Sequence, residues 1–170
     1  MGPVREWVVA SAIVERADEL LLVLNRRQGG VLDWSTPGGV IDPEDPSVLA
    51  GLTREVEEET GLIVDAWDDL LYAVEAEALD LGWRMRCEVY RAVRFHGDLR
   101  IDDPDGIVID AAFVPTSDCA ERLAQCLQWV REPLMDWLSE PWAPPAARGY
   151  RYGVRGRSLS EIEVVSVDVR

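Results

Sequence analysis

Glu55, Glu58 and Glu59 stand at i, i+3 and i+4. On a helix this spacing brings all three carboxylates to one face. Like charges so placed repel by about 0.2–0.5 kcal/mol per pair. A divalent cation removes that repulsion and uses the oxygens. Mg²⁺ takes hard oxygen ligands in an octahedron and completes its shell with waters or substrate phosphates. Upstream, Pro37-Gly38-Gly39 reads as a tight turn whose backbone can come close to a bound group and offer a free carbonyl. Arg54 precedes the first glutamate and has the forked geometry to hold a carboxylate. For a bare run of glutamates, a solvated acidic face is the competing reading. The glycine turn at one end and Thr60-Gly61 at the other favour the metal.

These groups need a helix and a turn to position them. Asp45-Pro46-Ser47 reads as a helix start, with Asp45 as cap and Pro46 at the first helical position. Gly61 supplies the stop. Val48, Leu52 and Val56 recur at i, i+4 and i+8, with Leu49 beside them, as a buried stripe. Glu57 points away from the glutamate face. Around this helix, residues 6–14 and 19–25 read as a strand hairpin, and 26–30 as a polar, flexible break. Residues 62–64 form a short apolar run. Residues 70–78, 83–95 and 107–114 read as strands. Asp98 to Gly106 is an acidic loop. Thr116-Ser117-Asp118 caps a short helix. Residues 128–138 form another, with Pro133 expected at a kink or a start. Residues 150–154 and 162–169 read as two strands joined by a polar turn. This order implies an α+β or three-layer α/β/α domain with a mixed sheet.

Composition narrows the function classes. The chain has 170 residues and a formal charge of −15. All of its bases are arginine, which removes lysine Schiff-base and P-loop chemistry. An acidic surface repels duplex nucleic acid but admits an anion that arrives with divalent cations. His96 is the one histidine and has no nucleophile signature near it. Cys87, Cys119 and Cys126 have no metal-site spacing; their odd number and the absence of a signal peptide predict reduced thiols in a cytoplasm. No apolar run reaches the roughly 18 residues of a membrane span. Arginine without lysine, beside abundant Ala, Val and Asp, suggests a GC-rich bacterial source.

The stretch from Arg54 to Leu62, R-E-V-E-E-E-T-G-L, resembles the second half of the Nudix box, R-E-U-x-E-E-x-G-U, in full. Trp34 to Gly39 resembles the family's W-x-x-P-G-G entry. The first half of the box departs from the pattern. With five residues intervening, Gly39 leads to Asp45 rather than Glu, and the same count from Gly38 leads to Glu44, so the loop carries one or two extra residues. The order of elements adds a C-terminal helix and hairpin extension, with a domain expected over residues 1–142 and an extension over 143–170; the resemblance reaches only from Glu6 to about Leu123. It implies a Nudix-type mixed β-sheet between helices, an α/β/α sandwich.

It further implies Mg²⁺- or Mn²⁺-dependent hydrolysis of a nucleoside diphosphate linked to another moiety. Glu58 and Glu59 would be the principal metal ligands, and Glu55 a further ligand or the base for the attacking water. Arg54 would hold the glutamates, and the Gly38 carbonyl would complete the shell. A downstream acid is offered by Asp105, within Asp102-Asp103-Pro104-Asp105. Marks of ADP-ribose, dinucleoside-polyphosphate and NADH-cleaving relatives are missing, which leaves a nucleoside triphosphate as leading class. Trp34, Trp83 and Tyr72 are candidates to stack on a base or to pack in the core. Arg26 and Arg27, with Gly39, are candidates to meet substrate. The alternative is a silent Nudix-like nucleotide sensor. Arg148, Arg151, Arg155 and Arg157 make the tail locally basic. It is expected to dock on an acidic face, its own or that of a second subunit in a homodimer.

Overall fold

The structure, a computed structural model, describes residues 3–156 and 161–170, without the side chains of 165–168. Among these residues ten strands form two sheets. The larger has six strands in the order β10-β9-β6-β7-β1-β5. Its members are β1 (Arg5–Ile13), β5 (Gly38–Val40), β6 (Ile63–Ala78), β7 (Trp83–His96), β9 (Arg148–Gly156) and β10 (Ile162–Val169). The smaller joins β2 (Glu15–Arg16), β3 (Glu19–Arg26), β4 (Leu32–Ser35) and β8 (Val108–Pro115) around β3. β1 runs parallel to β7, and β6 to β9; the remaining pairs are antiparallel. The mixed sheet expected from the element order is therefore present.

Alternating residues send side chains to two cores. Ala10, Ala12 and Leu21 pack with Leu52 and Val56 of α1 (Val48–Thr60). Ile13, Leu20 and Leu22 join the core containing Cys119 of α2 (Cys119–Arg122) and Trp129, Leu134 and Trp137 of α3 (Gln128–Ser139). The period of two in strands produces this division, with a helix layer on each side.

Several local expectations are corrected. Residues 6–14 and 19–25 are strands, but they do not pair with each other. β1 belongs to the large sheet and β3 to the small one, and only the two-residue β2 turns back on β3. The chain changes sheets after Ile13, so a hairpin signal marks the crossing between them. Ser47, not Asp45, caps α1; its Oγ accepts from the Ala50 N–H at 3.0 Å. The apolar run at 62–64 merges into β6, through register shifts between Val64 and Tyr72. Of the two places expected for Pro133, the helix start is ruled out, because it lies inside α3. No side chain caps α2.

The tail forms the expected pair of strands. β9 adds β10 to the large sheet and buries Tyr150, Tyr152 and Val154 in the α3-side core. Two of the tail arginines find partners in their own chain. Arg151 pairs with Glu75 at 3.2 Å, and the Arg148 guanidinium lies 3.9 Å over the Trp142 ring. Arg157 lies outside the described residues.

Candidate active site

α1 ends where the sequence requires. Gly61, at φ 79°, takes the left-handed position and donates to the Glu57 carbonyl. Its carbonyl-rich end anchors the acidic loop: the Arg100 N–H donates to the Thr60 carbonyl at 2.8 Å and the Asp102 N–H to that of Glu58 at 3.1 Å. Asp103 stiffens the same loop by accepting from the N–H groups of Asp105, Ile107 and Val108. The loop thus holds Asp105 opposite the glutamate face. On the other side β5 presents Gly38 and Gly39. A side chain at Gly39 would place its Cβ 2.6 Å from a Glu55 carboxylate oxygen, so glycine leaves the room that this carboxylate occupies.

Glu55, Glu58, Glu59, Asp105, Gly38 and Gly39 line one cavity of about 480 Å³. Asp42 and Asp103 add two more acids to its wall, against Arg27 and Arg54 as its only bases among the described residues. Glu59 is buried and its Oε2 accepts from the Gly38 N–H at 2.8 Å. Burial is the main cause that raises its pKa from 4.5 to about 8, against the pull of that hydrogen bond; Glu55 and Asp103 raise it further. Burial also raises Glu55, opposed by Arg54 and reinforced by Glu58 and Asp105.

Arg54 is the hub that the sequence suggested, and it holds more than the glutamates. Nη1 donates to Glu55 at 2.8 Å and to Glu58 at 3.2 Å, while Nη2 reaches Asp45 at 3.0 Å and Nε reaches the same carboxylate at 3.3 Å. Asp45 also accepts from the Asp42 N–H. Its hydrogen bond to Arg54 holds the Asp45 carboxyl below its ordinary pKa. Of the two candidate first acids, Asp45 is the one that contacts Arg54. The extra loop residues hid that relation, because its signal is spatial rather than a fixed count.

The donor chemistry fits a hard divalent cation. Carboxylates, the Gly38-Gly39 backbone, which is strand β5 rather than the tight turn expected, and a surplus of negative charge share one partly enclosed space. Among the described residues no three acids are gathered at ligating distance. Arg54 and the Gly38 N–H hold the carboxylates instead.

A second cavity, of about 240 Å³, shares Arg27, Ser35, Gly38, Gly39 and Val40 with the first. Its far wall is apolar, with Val74, Met85 and Val89 from the large sheet and Leu127, Trp129 and Val130 from the entry to α3. Tyr72 lines this cavity, and its ring packs edge-on against Trp142 and Tyr150. Trp83 is buried in a stack with Trp7, and Trp34 lies under the Arg122 guanidinium at 5.2 Å; neither lines the two cavities. Arg26 is exposed and lies outside both, whereas Arg27 lines both. The contribution of α3 carried no motif. From sequence alone residues 128–138 read only as a helix.

Comparison with known proteins adds an independent line. The NUDIX domain family profile matches residues 5–138. Nudix hydrolase 7 of Arabidopsis thaliana is 25% identical over 134 residues; the match takes in 76% of this chain and spans 40% of that protein's length. The crystal structure of a MutT protein from Bacillus halodurans superposes with a TM-score of 0.69 at 17% identity, over 96% of this chain and 97% of that one. A MutT NUDIX hydrolase from Burkholderia pseudomallei gives 0.61 at 25% identity, over 80% and 98%.

Proposed function

The chain belongs to the NUDIX family, and from that premise we propose that it is a Mg²⁺-dependent pyrophosphohydrolase, with Mn²⁺ as an alternative metal. Its substrate is a nucleoside triphosphate or another nucleoside diphosphate derivative. The observation that carries this reading is the junction of two unlike cavities. One is acidic and built from the α1 glutamates; the other is apolar, and they meet at Gly38-Gly39. A diphosphate linked to an organic group has the same two-part chemistry.

Glu55, Glu58, Glu59 and Asp105, with the Gly38 backbone, would hold the cation. When bound, it neutralises charge on the diphosphate and acidifies water in contact with it. Arg54 restrains Glu55 and Glu58 through Nη1 and is itself fixed by Asp45. Glu55, half-buried and raised by that burial, is suited to take a proton at its carboxylate from the attacking water. The water oxygen bonds to phosphorus, and the phosphorus–oxygen bond to the leaving phosphate or nucleotide breaks. The apolar cavity orients the organic group and excludes water from its far side.

The test is a panel of nucleoside triphosphates and nucleoside diphosphate conjugates with Mg²⁺ or Mn²⁺, with phosphate and pyrophosphate release measured separately. Metal-dependent release from at least one member is expected. Binding without release from any would instead support a nucleotide sensor.

A further inference from the structure

Among the described residues, Arg27 is the one cation that lines both cavities. It is the first residue beyond β3, and its N–H donates to the Val31 carbonyl at 2.7 Å while its own carbonyl accepts from the Gly30 N–H at 3.0 Å. The segment read as a flexible break is therefore a closed turn that fixes where Arg27 begins. Its side chain is then fixed from the other direction. Nε donates to both oxygens of Asp33, at 3.0 and 3.2 Å. Asp33 is buried, with its side chain 8% exposed, and accepts a further bond from Asn25 Nδ2 at 3.1 Å. The strand register sets this relay, because Asn25 and Asp33 face each other across β3 and β4.

Nε is used in this way, but Nη1 and Nη2 donate no hydrogen bond among the described residues. The side chain remains 43% exposed. Arg27 lines both cavities at the place where they share Ser35, Gly38 and Gly39. A guanidinium held by one edge with its other edge open is prearranged to receive two oxygens of a phosphate. Immobilising it beforehand reduces the ordering cost of binding.

We infer that Arg27 binds the phosphate nearest the organic group of the substrate, and that Asp33 and Asn25 are positioning residues that aim it across the seam between the cavities. This rests on the hydrolase reading of the site and adds to it a residue outside the α1 motif. It also sets the polarity of the substrate, with the chain of phosphates running from Arg27 towards the glutamates.

The experiment is calorimetric titration of the full chain, in Mg²⁺, with α,β-methylene nucleoside triphosphates of the four common bases. Hydrolysis of the natural triphosphates is followed in parallel. Arg27→Ala should weaken binding of the best analogue by roughly 10- to 100-fold, the range for a charged hydrogen bond. Arg27→Lys should recover part of the loss. Arg27→Ala leaves Asp33 buried beside Asn25 without its cation, so the variant should also melt lower. Arg27→Ala/Asp33→Asn removes that penalty, and its melting temperature should recover while its binding does not. Binding restored together with stability would assign Arg27 a structural role only and overturn the inference. So would Arg27→Ala binding within twofold of the wild type. Wild-type binding without hydrolysis would sink the hydrolase reading while leaving the Arg27 comparison decisive; no binding of any analogue would overturn both.

Discussion

Glu59 is held in the protein by two opposed influences. Burial raises its pKa to about 8, yet its partner, the Gly38 N–H, favours the ionised form. In the unfolded chain the group returns to about 4.5, near the ordinary glutamate value. Between these values the folded state binds the extra proton, so the stabilisation is complete below 4.5 and is lost as pH rises through about 8. The metal-free protein, in chelator, should therefore melt at a lower temperature at pH 9 than at pH 6. Glu59→Gln, neutral throughout and still able to accept from Gly38, should flatten that dependence. Thermal melts at the two pH values check this; an equal slope in the variant would remove Glu59 as its source. A bound divalent cation should reverse the preference by stabilising the carboxylate.

At the scale of elements, the α1 helix and the loops at its two ends act as one unit. Asp45 anchors Arg54 from the preceding loop, and the Asp98–Gly106 loop hangs from the helix C-terminus by the Arg100 and Asp102 N–H groups. Asp45→Ala should free Arg54 and lower kcat by about 10- to 100-fold, the usual scale for residues that orient ligands. Glu44→Ala should change it less than about twofold, as an exposed residue without an ion pair among the described residues is expected to do. Steady-state kinetics of the two variants separates the two candidate first acids. Equal losses would contradict the assignment to Asp45. The glutamate face was legible because helical spacing is local. The Gly61 stop was legible for the same reason. The Asp45 contact was not, since the lengthened loop conceals it from any count of residues. The hairpin expected between β1 and β3 failed for a related reason. Strand propensity identifies both strands, but which edge each one joins depends on β7, β5 and β8 far along the chain.

For the whole molecule, the two sheets bring distant segments to one seam. Gly38-Gly39 comes from the large sheet, Arg27 from the end of the small one, and Trp129 from α3. The strand over 83–95 and the helix over 128–138 were legible as elements, but only their assembly shows that Met85 and Trp129 wall a cavity. The C-terminal strands illustrate the same limit. Their basic residues suggest docking, whereas their buried residues show dependence: Tyr150 and Tyr152 belong to the core that includes Tyr72, Trp129 and Trp137. The Trp142 Nε1 also donates to the Leu71 carbonyl at 2.9 Å. Truncation after Trp142 should therefore abolish cooperative unfolding rather than yield a folded domain, because it exposes several large side chains, each contributing about 1.5–3 kcal/mol when buried. Circular dichroism melts of the truncated chain check this. A sharp transition close to that of the full chain would show that β9 and β10 are dispensable to the core.

The central claim is that the glutamate face of α1 performs hydrolysis with a divalent cation. Its most direct test is the rate of phosphate or pyrophosphate release, with and without Mg²⁺, in the wild type, Glu59→Gln and Glu57→Gln. Glu57 lies on the same helix but is exposed and does not line the cavity that holds Glu59. The account predicts metal-dependent turnover in the wild type and in Glu57→Gln within about twofold, as for an exposed substitution. It predicts a loss of more than about 100-fold in a folded Glu59→Gln protein. Near-full metal-dependent activity in Glu59→Gln would contradict it.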